Sequence, residues 1–435
     1  MLASKEYTRG LVLAAIIGVP VSAVAYGFLW LVQWLQNSLY TTLPKDFGLS
    51  GTPAWWPMPL LVLSGLLVAA AVTYLPGTGG HEPADGLKAG GVITPEQLPG
   101  VVLAALASLG LGAVVGPEAP LIAIGSGLGA LAVRAVAKGA TAQATALIAA
   151  AGSFAAIASL LGSPLTAAFL LMEVTGLGAM TGVVLLPGLL AAGVGSLIFV
   201  GLNALTGVGT FSLALPHLPN PGAPTLGMFC WAVVAGPVFA ALGWVVREAA
   251  CRVQPLVAAR RLVVSPIVGL VVGGLAAIYA EASHKPVTLL LFSGQSALPQ
   301  VVSDASQLTV GALLVLAAMK ACVYVPSLAA FRGGPVFPGL FIGGVVGLAA
   351  GHLPGMNMVA GLGIGLGGMS VAMLGLPLFS TVLAALLLGT SGTPVIPLVI
   401  VTVVVAHITV AHLPVHHTPD MAAAPPPPPV PQPAT

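Results

Sequence analysis

Glycine and proline recur in the same order before two apolar segments of the chain. Residues 116–129 read GPEAPLIAIGSGLG and residues 334–347 read GPVFPGLFIGGVVG, so both fit G-P-x-x-P-x-x-x-I-G-x-x-x-G. We interpret each motif as a helix N-terminus, where unpaired amides and aligned peptide dipoles leave a partial positive charge. Such an end can hold a dehydrated anion without a full countercharge. The two motifs therefore predict a small-anion site where two helix ends meet.

Only the first copy of the motif carries a carboxylate. Glu118 stands where the second copy has Val336. An ionised carboxylate would compete with a free anion for the same amides, and a protonated one would release them. Because carboxylates inside membranes are rare and mostly functional, we predict a gating role for Glu118, with a structural cap as the alternative. For Glu173, in FLLMEVTG, we favour a structural role as an acceptor for backbone or hydroxyl donors.

Basic residues are few and unevenly placed. Lys320 and Arg332 lie near the second motif, where they could add positive potential or anchor the chain at the membrane interface. Further basic residues form three groups, which the positive-inside tendency places on the cytoplasmic side. These groups are Lys5 and Arg9, then Arg134 and Lys138, then Arg247, Arg252, Arg260 and Arg261.

The composition places these motifs in a membrane. Of 435 residues, 57% are hydrophobic and only 6% are charged, whereas a soluble domain has about 25% charged residues. No Asp, Glu, Lys or Arg lies between Glu173 and Arg247 or between Arg332 and Asp420. A net charge of +2 without a basic block excludes a nucleic-acid partner, and the hydrophobicity excludes a disordered chain.

The elements that position the motifs must be helices, because continuous apolar runs lack the alternation of a β-barrel. We expect an all-α polytopic membrane protein with some helices broken inside the bilayer, since 56 Gly and 38 Pro interrupt the apolar runs. The expected divisions are an N-terminal cytoplasmic segment (1–10), a first membrane repeat (11–205), a connecting loop (206–225), a second membrane repeat (226–413) and a Pro-rich disordered tail (414–435).

A second element supports the internal repeat. GSPL at 162–165 and GLPL at 375–378 follow the two motifs in the same order, and each precedes an apolar segment. Close helix packing through Gly-x-x-x-Gly would explain the trailing glycines but not the Pro-x-x-Pro before them. Two copies of one unit are typical of a transporter or channel with its site near the bilayer midplane.

These residues resemble the CLC family of chloride channels and proton-coupled chloride exchangers. The resemblance rests on GPEAPLIAIGSGLG, GSPLTAAFLLMEVTG and KACVYVPSLAAFRGGPVFPGLFIGG, and it extends from about Tyr74 to Leu388. It implies a homodimer of CLC-like inverted repeats with broken and tilted helices, one anion pathway in each subunit, and Glu118 as the external gating glutamate. It also implies a prokaryotic-type member in the inner or plasma membrane, without the C-terminal nucleotide-binding modules of eukaryotic members.

Several positions depart from the family pattern. Gly80, in GGHEP, stands where the family has the serine that contacts the central anion, and no tyrosine follows Tyr324 to match the tyrosine of the last membrane helix. Thr78, His81, His407 or His412 could supply donors instead, although packing or interfacial histidines are more common.

Proline adds a further departure, because Pro117 and Pro335 stand where the family uses residues with a free amide. We therefore predict the anion contacts at the remaining positions of the motifs and of the GGHEP loop. These are Gly116, Glu118, Ala119, Gly334, Val336 and Phe337, with Gly80 and His81.

Val174 bears on whether protons are coupled. In the family's exchangers a second glutamate follows the position of Glu173, and here that position is Val174, as in the family's channels. The resemblance therefore favours a passive chloride channel gated by voltage or pH. The alternative is a proton-coupled antiporter of chloride or of another anion such as fluoride or nitrate.

An intramembrane metal enzyme is a remote alternative. His81, Glu82 and Asp85 are close together, and His81 and Asp85, four apart, would share one face of a helix, but Pro83 between them favours a loop or a helix start. His412, His416 and His417 adjoin the Pro-rich tail, where we expect them to be solvated. We predict neither a cofactor nor an enzymatic activity.

Overall fold

The fold is described from a computed structural model that defines residues 5–87, 91–136, 139–175, 181–207, 213–215 and 218–414. Lys138, His416, His417 and the predicted tail after residue 414 lie outside the described residues. Within the described ranges the secondary structure is helical, and the one β-bridge is isolated. The predicted all-α fold is therefore confirmed.

The helices fall into two halves. The first half contains α1 (Lys5–Asn37), α2 (Leu43–Asp46), α3 (Pro57–Tyr74), α4 (Leu98–Leu111), α5 (Glu118–Val136), α6 (Ala142–Leu161), α7 (Pro164–Thr175) and α8 (Thr181–Thr206). The second half contains α9 (Leu226–Ala259), α10 (Arg261–Ser283), α11 (Ala297–Ser303), α12 (Val310–Ala330), α13 (Val336–Ala350), α14 (Met358–Leu374), α15 (Pro377–Leu388) and α16 (Ile396–His412).

Both full-length and broken membrane helices are present. Among the described residues, nine helices are long and apolar enough to cross a bilayer, and five apolar helices are shorter, namely α4, α7, α13, α14 and α15. α8 ends at Thr206 and α9 begins at Leu226, and the division of the chain into two repeats joined by residues 206–225 stays a prediction.

The shared GSPL and GLPL elements break two helices in the same way. Gly162 ends α6 with φ +64°, and Gly375 ends α14 with φ +70°, a left-handed conformation that glycine adopts without strain. A proline two residues later begins the next helix, α7 or α15, because its ring fixes a helical φ and its missing N–H is not needed there. Each Gly-x-Pro is thus a sharp boundary between two helices.

Glycines also set how closely the repeated helices pack. A Cβ added at Gly125 of α5 would collide with the backbone of Gly152 in α6. In the second half, a Cβ at Gly343 of α13 would collide with the backbone of Gly365 in α14. The same backbone-to-backbone contact therefore occurs in both repeats, and it holds α5 against α6 and α13 against α14.

We predict that Gly365→Ala destabilises the protein. The new Cβ would meet only backbone atoms of α13, so the two helices would have to separate, at a cost of about 1–3 kcal/mol. The matched control is Gly201→Ala in α8, where a Cβ meets nothing within 4 Å. Thermal unfolding in detergent should show a lower Tm for the first variant only, and equal Tm values would contradict the packing described here.

Candidate functional site

Two backbone hydrogen bonds join the repeated motifs. The amide of Gly116 donates to the carbonyl of Gly334 at 2.7 Å, and the amide of Gly334 donates to the carbonyl of Gly116 at 2.6 Å. This reciprocal pair is an antiparallel bridge between chain segments that lead directly into α5 and α13. The two helix N-termini are thereby held against each other inside the protein, as the repeat predicts.

Glu118 lies at this junction. Its side chain is only 1% exposed, and its Oε1 accepts a hydrogen bond from the amide of Phe337 at 2.9 Å. The amides of Val336 and of Glu118 itself add favourable electrostatics, whereas Oε2 has no hydrogen-bond partner among the described residues. The carboxylate thus lies beside the helix-end amides, in the place where we predict that a free anion binds.

The motif glycines make room for that carboxylate. A Cβ at Gly116 or at Gly334 would collide with the carboxylate oxygens of Glu118. Val336, which occupies the position equivalent to Glu118, is buried, and Ala119 is half-buried in the first turn of α5. Glycine is therefore needed at both ends of the bridge while Glu118 points inward.

Tyr324 is a neighbour that sequence reasoning missed. It lies on α12, is fully buried, and its hydroxyl donates to the carbonyl of Pro335 at 2.6 Å. A phenol in an otherwise apolar helix needs a hydrogen-bond partner when it is buried, and this was the available signal. Tyr324 fixes the orientation of the residue that precedes Val336.

The GGHEP loop has an unusual backbone. Thr78, Gly79 and Gly80 all have positive φ, with Gly80 at +89°. A serine at Gly80 would be strained in this conformation, and its Cβ would press against Val101 at 3.2 Å. The backbone therefore accounts for glycine at the position where the resemblance described above implies a serine. His81 Nε2 lies 2.7 Å from the carbonyl oxygen of Gly86 in the same loop.

Arg332 joins this loop to the second motif. It is buried, and its Nε donates to the carbonyl of Thr78 at 3.3 Å while its Nη2 donates to Glu82 Oε1 at 2.7 Å. Arg261 Nη2 donates to the same oxygen at 2.9 Å, and the side-chain amide of Gln254 donates to Glu82 Oε2. Sequence reasoning did not connect Glu82 with either arginine, because 179 and 250 residues separate them.

These contacts bear on the metal alternative. Glu82 is engaged by two guanidinium groups, and Pro83–Asp85 form a short 3-10 turn, so the loop or helix start favoured by Pro83 is what the structure contains. Burial raises the pKa of the Glu82 carboxyl, but the charge of Arg332, with Gln254 and Arg261, outweighs burial and leaves the pKa below its ordinary value. Glu82 is therefore an anion at neutral pH.

Lys320 is fully buried on α12, so anchoring at the membrane interface does not describe it. Its ammonium group lies 4.9 Å from the centre of the Phe341 ring. Its Nζ lies within hydrogen-bond distance of four successive carbonyl oxygens, those of Leu289 at 3.5 Å, Leu290 at 3.0 Å, Leu291 at 2.8 Å and Phe292 at 3.1 Å, and its three N–H groups are shared among them. Lys320 thus binds the negative, oxygen ends of the carbonyl dipoles in the segment between α10 and α11. Arg332 is likewise buried in the protein.

The remaining predicted donors lie on α16. His407 is half-buried, with no partner for Nδ1 among the described residues, and His412 is exposed with Nδ1 2.8 Å from the carbonyl oxygen of Ile408. Neither is linked to the Gly116–Gly334 bridge by a described hydrogen bond, so their proposed role as anion donors stays a prediction.

Glu173 caps a helix of the second repeat. Its Oε1 accepts from the amide of Leu378 at 2.8 Å and its Oε2 from the amide of Phe379 at 2.7 Å, both in the first turn of α15. A carboxylate at this end satisfies two unpaired amides and interacts favourably with the helix dipole. The contacts agree with the structural role favoured for this residue, and the adjacent Val174 packs against the apolar core.

The fold belongs to a known class of membrane transporter. The structure superposes on a slow cyanobacterial Cl-/H+ antiporter with a TM-score of 0.73 at 18% identity, covering 92% of this chain and 94% of that chain. It superposes on a CLC-type fluoride/proton antiporter with a TM-score of 0.70 at 19% identity, covering 92% and 95%. The class is thus a multi-pass membrane protein with the CLC fold.

Sequence comparison identifies the family. The family model described as "Voltage gated chloride channel" matches residues 60–411. "Putative ion-transport protein YfeO" of Salmonella schwarzengrund (strain CVM19633) is 30% identical over 345 residues, covering 77% of this chain and 78% of that protein. Its counterpart in Escherichia coli (strain SMS-3-5 / SECEC) is 28% identical over 337 residues, covering 77% of each. The chain belongs to the CLC family and is a CLC-type anion-transport protein.

We predict that Glu173→Gln lowers stability without changing ion selectivity. The variant loses one charge-assisted hydrogen bond at the start of α15, worth about 1.5–3 kcal/mol. Glu281→Gln, at an exposed position of α10, is the control. Thermal unfolding and anion-substituted reversal potentials would test this, and a changed selectivity in Glu173→Gln would refute the capping role.

Proposed function

We propose that this protein conducts chloride passively through the junction of α5 and α13, with Glu118 as the gate that voltage or pH opens. The observation that carries the proposal is the hydrogen bond from the Phe337 amide to Glu118 Oε1 at 2.9 Å. The carboxylate holds a place in which a free anion would meet the same donor. Protonation or movement of Glu118 would vacate that place, which is a requirement of a gate.

The structure offers a second function, proton-coupled exchange of chloride or another anion such as fluoride or nitrate. The superposed structures include a Cl-/H+ antiporter and a fluoride/proton antiporter, which supports this alternative. A passive channel is favoured by Val174, which cannot carry a proton at the position where the family's exchangers have a second glutamate. Transport, rather than an enzymatic reaction, is proposed in either case.

We further propose a homodimer in the inner or plasma membrane of a prokaryote. Leu165 and Leu378, the last residues of GSPL and GLPL, are 64% and 56% exposed, so the repeats present equivalent apolar positions on their outer face. α7 and α15, the helices that begin with these elements, contact each other in the fold. A self-complementary apolar face of this kind suits a two-fold dimer.

The dimer predicts a doubled mass in detergent. The double substitution Leu165→Trp with Leu378→Trp should give a monomer. The bulkier indole rings would prevent the apolar faces of the two subunits from packing closely. Ile278→Trp, at an exposed position of α10, is the control and should leave the dimer intact. Light scattering coupled to gel filtration provides the mass, and a wild-type monomer would contradict the proposal.

The gate predicts faster flux for Glu118→Gln. The neutral side chain loses a charge-assisted hydrogen bond worth about 1.5–3 kcal/mol, so we expect about tenfold faster chloride efflux from liposomes at neutral pH. Wild-type flux should rise as the pH falls, and flux through the variant should not depend on pH. Glu281→Gln, on the exposed end of α10, should behave as the wild type.

Crossed gradients of chloride and pH separate the two candidate functions. A passive channel has a reversal potential that follows the chloride gradient alone, whereas an exchanger has one that moves with the pH gradient. A reversal potential that depends on pH would contradict the passive-channel proposal and support the exchanger. Absence of anion flux under every gradient would overturn both.

A further inference from the structure

The turn formed by residues 331–337 holds two carboxylates from the first half of the chain. The Phe337 amide donates to Glu118 at 2.9 Å, and Arg332 Nη2 donates to Glu82 at 2.7 Å. The donors are five positions apart in sequence, so the backbone between them spans at most about 18 Å. Gly334, between them, is bonded in both directions to Gly116. Two tethered anions are thus attached to opposite ends of one fixed segment.

Arg332 keeps its position through bonds that do not involve Glu82. Its backbone amide donates to Ser108 Oγ at 2.9 Å, its Nε donates to the Thr78 carbonyl at 3.3 Å, and its Nη1 donates to the Phe331 carbonyl at 3.4 Å. The remaining guanidinium nitrogen, Nη2, donates to the carboxylate of Glu82. If Glu82 moved away, a buried guanidinium would remain in place and would require another anion.

A second cation and a route to solvent lie beside this group. Arg261 shares Glu82 Oε1 with Arg332, and the side chains of Arg261 and Glu82 are 27% and 25% exposed. A small cavity of about 10 Å³ adjoins them, and its polar lining includes Gln254 and Ser265. Glu82 and Arg261 are therefore the members of this group that reach solvent, and binding of a free anion at the guanidinium groups requires the carboxylate to move toward solvent.

The charge count permits an exchange of one anion for another. Besides Glu82, the Gln254 side chain contacts a further charged group, Asp85, whose Oδ1 accepts from the Gln254 side-chain amide at 3.3 Å. Arg247 and the Glu248–Arg252 pair lie on the neighbouring part of α9. A monovalent anion in place of the Glu82 carboxylate would leave the charge at the guanidinium groups unchanged.

We propose that Arg332 and Arg261 form an inner binding site for a small monovalent anion, and that Glu82 is its tethered competitor. Because Pro117 and Pro335 have no amide hydrogen to donate at the helix ends, the guanidinium groups supply positive charge that this junction lacks. That the ligand is the transported anion rests on the proposed function. The existence of the binding site rests only on the contacts of Arg332, Arg261 and Glu82. Glu82 and Glu118 would then occupy the two ends of one anion path.

Chloride titration of the purified full-length protein by calorimetry tests the site without requiring flux. Glu82→Gln removes the competitor's charge and should tighten chloride binding about tenfold, because a tethered group acts at millimolar or higher effective concentration. Arg261→Gln, whose partly exposed side chain makes folding less dependent on it, should weaken binding severalfold. Arg134→Gln, which breaks the exposed Arg134–Glu96 ion pair, is the matched control and should match the wild type.

A Glu118→Gln background separates this site from the gate, since tighter binding by Glu82→Gln should persist there. Equal chloride affinity of Glu82→Gln and the wild type, with only a lower Tm, would show that the cluster is structural and would overturn the inference. If Glu82→Gln does not fold, unchanged affinity in Arg261→Gln would overturn it equally. Absent flux with these binding differences intact would refute the transport proposal and leave the site standing.

Discussion

The architecture depends on the reciprocal hydrogen bonds between Gly116 and Gly334. Two helices that begin inside a membrane expose unpaired amides where water is scarce, and an unsatisfied polar group there costs several kcal/mol. The bridge satisfies the backbone just before each helix and sets the distance between the two helix ends. The glycines of the bridge also leave the space that the carboxylate of Glu118 occupies between the two helix ends.

The sequence predicts those features of the fold and site that depend on residues close to one another in the chain. The repeated G-P-x-x-P motif predicted both helix starts at Glu118 and Val336, because glycine and proline restrict the backbone within a few residues. The low charge made Glu118 visible as the asymmetric member of the repeat. The all-helical fold followed from the apolar runs and from the requirement that backbone groups in a membrane be paired.

Sequence reasoning failed where partners are distant in sequence. Glu82 was considered with His81 and Asp85, its near neighbours, whereas its partners Arg261 and Arg332 come from α10 and from the turn after α12. Tyr324 and Lys320 gave no local signal of the carbonyls that they bind. A periodic pattern reports which face of a helix is apolar, but it does not report which loop will reach a lone polar group on that face.

Lys320 also constrains how the protein can be assembled. A lysine at the centre of a helix costs about 2.5–3.5 kcal/mol during insertion into a bilayer, and its only described hydrogen-bond acceptors are the carbonyls of residues 289–292. Those carbonyls precede α12 by about twenty residues, so they leave the ribosome before the lysine does. The carbonyls of residues 289–292 are therefore synthesised before α12 enters the membrane, so the order of synthesis makes the partners of the charged residue available when its helix is inserted.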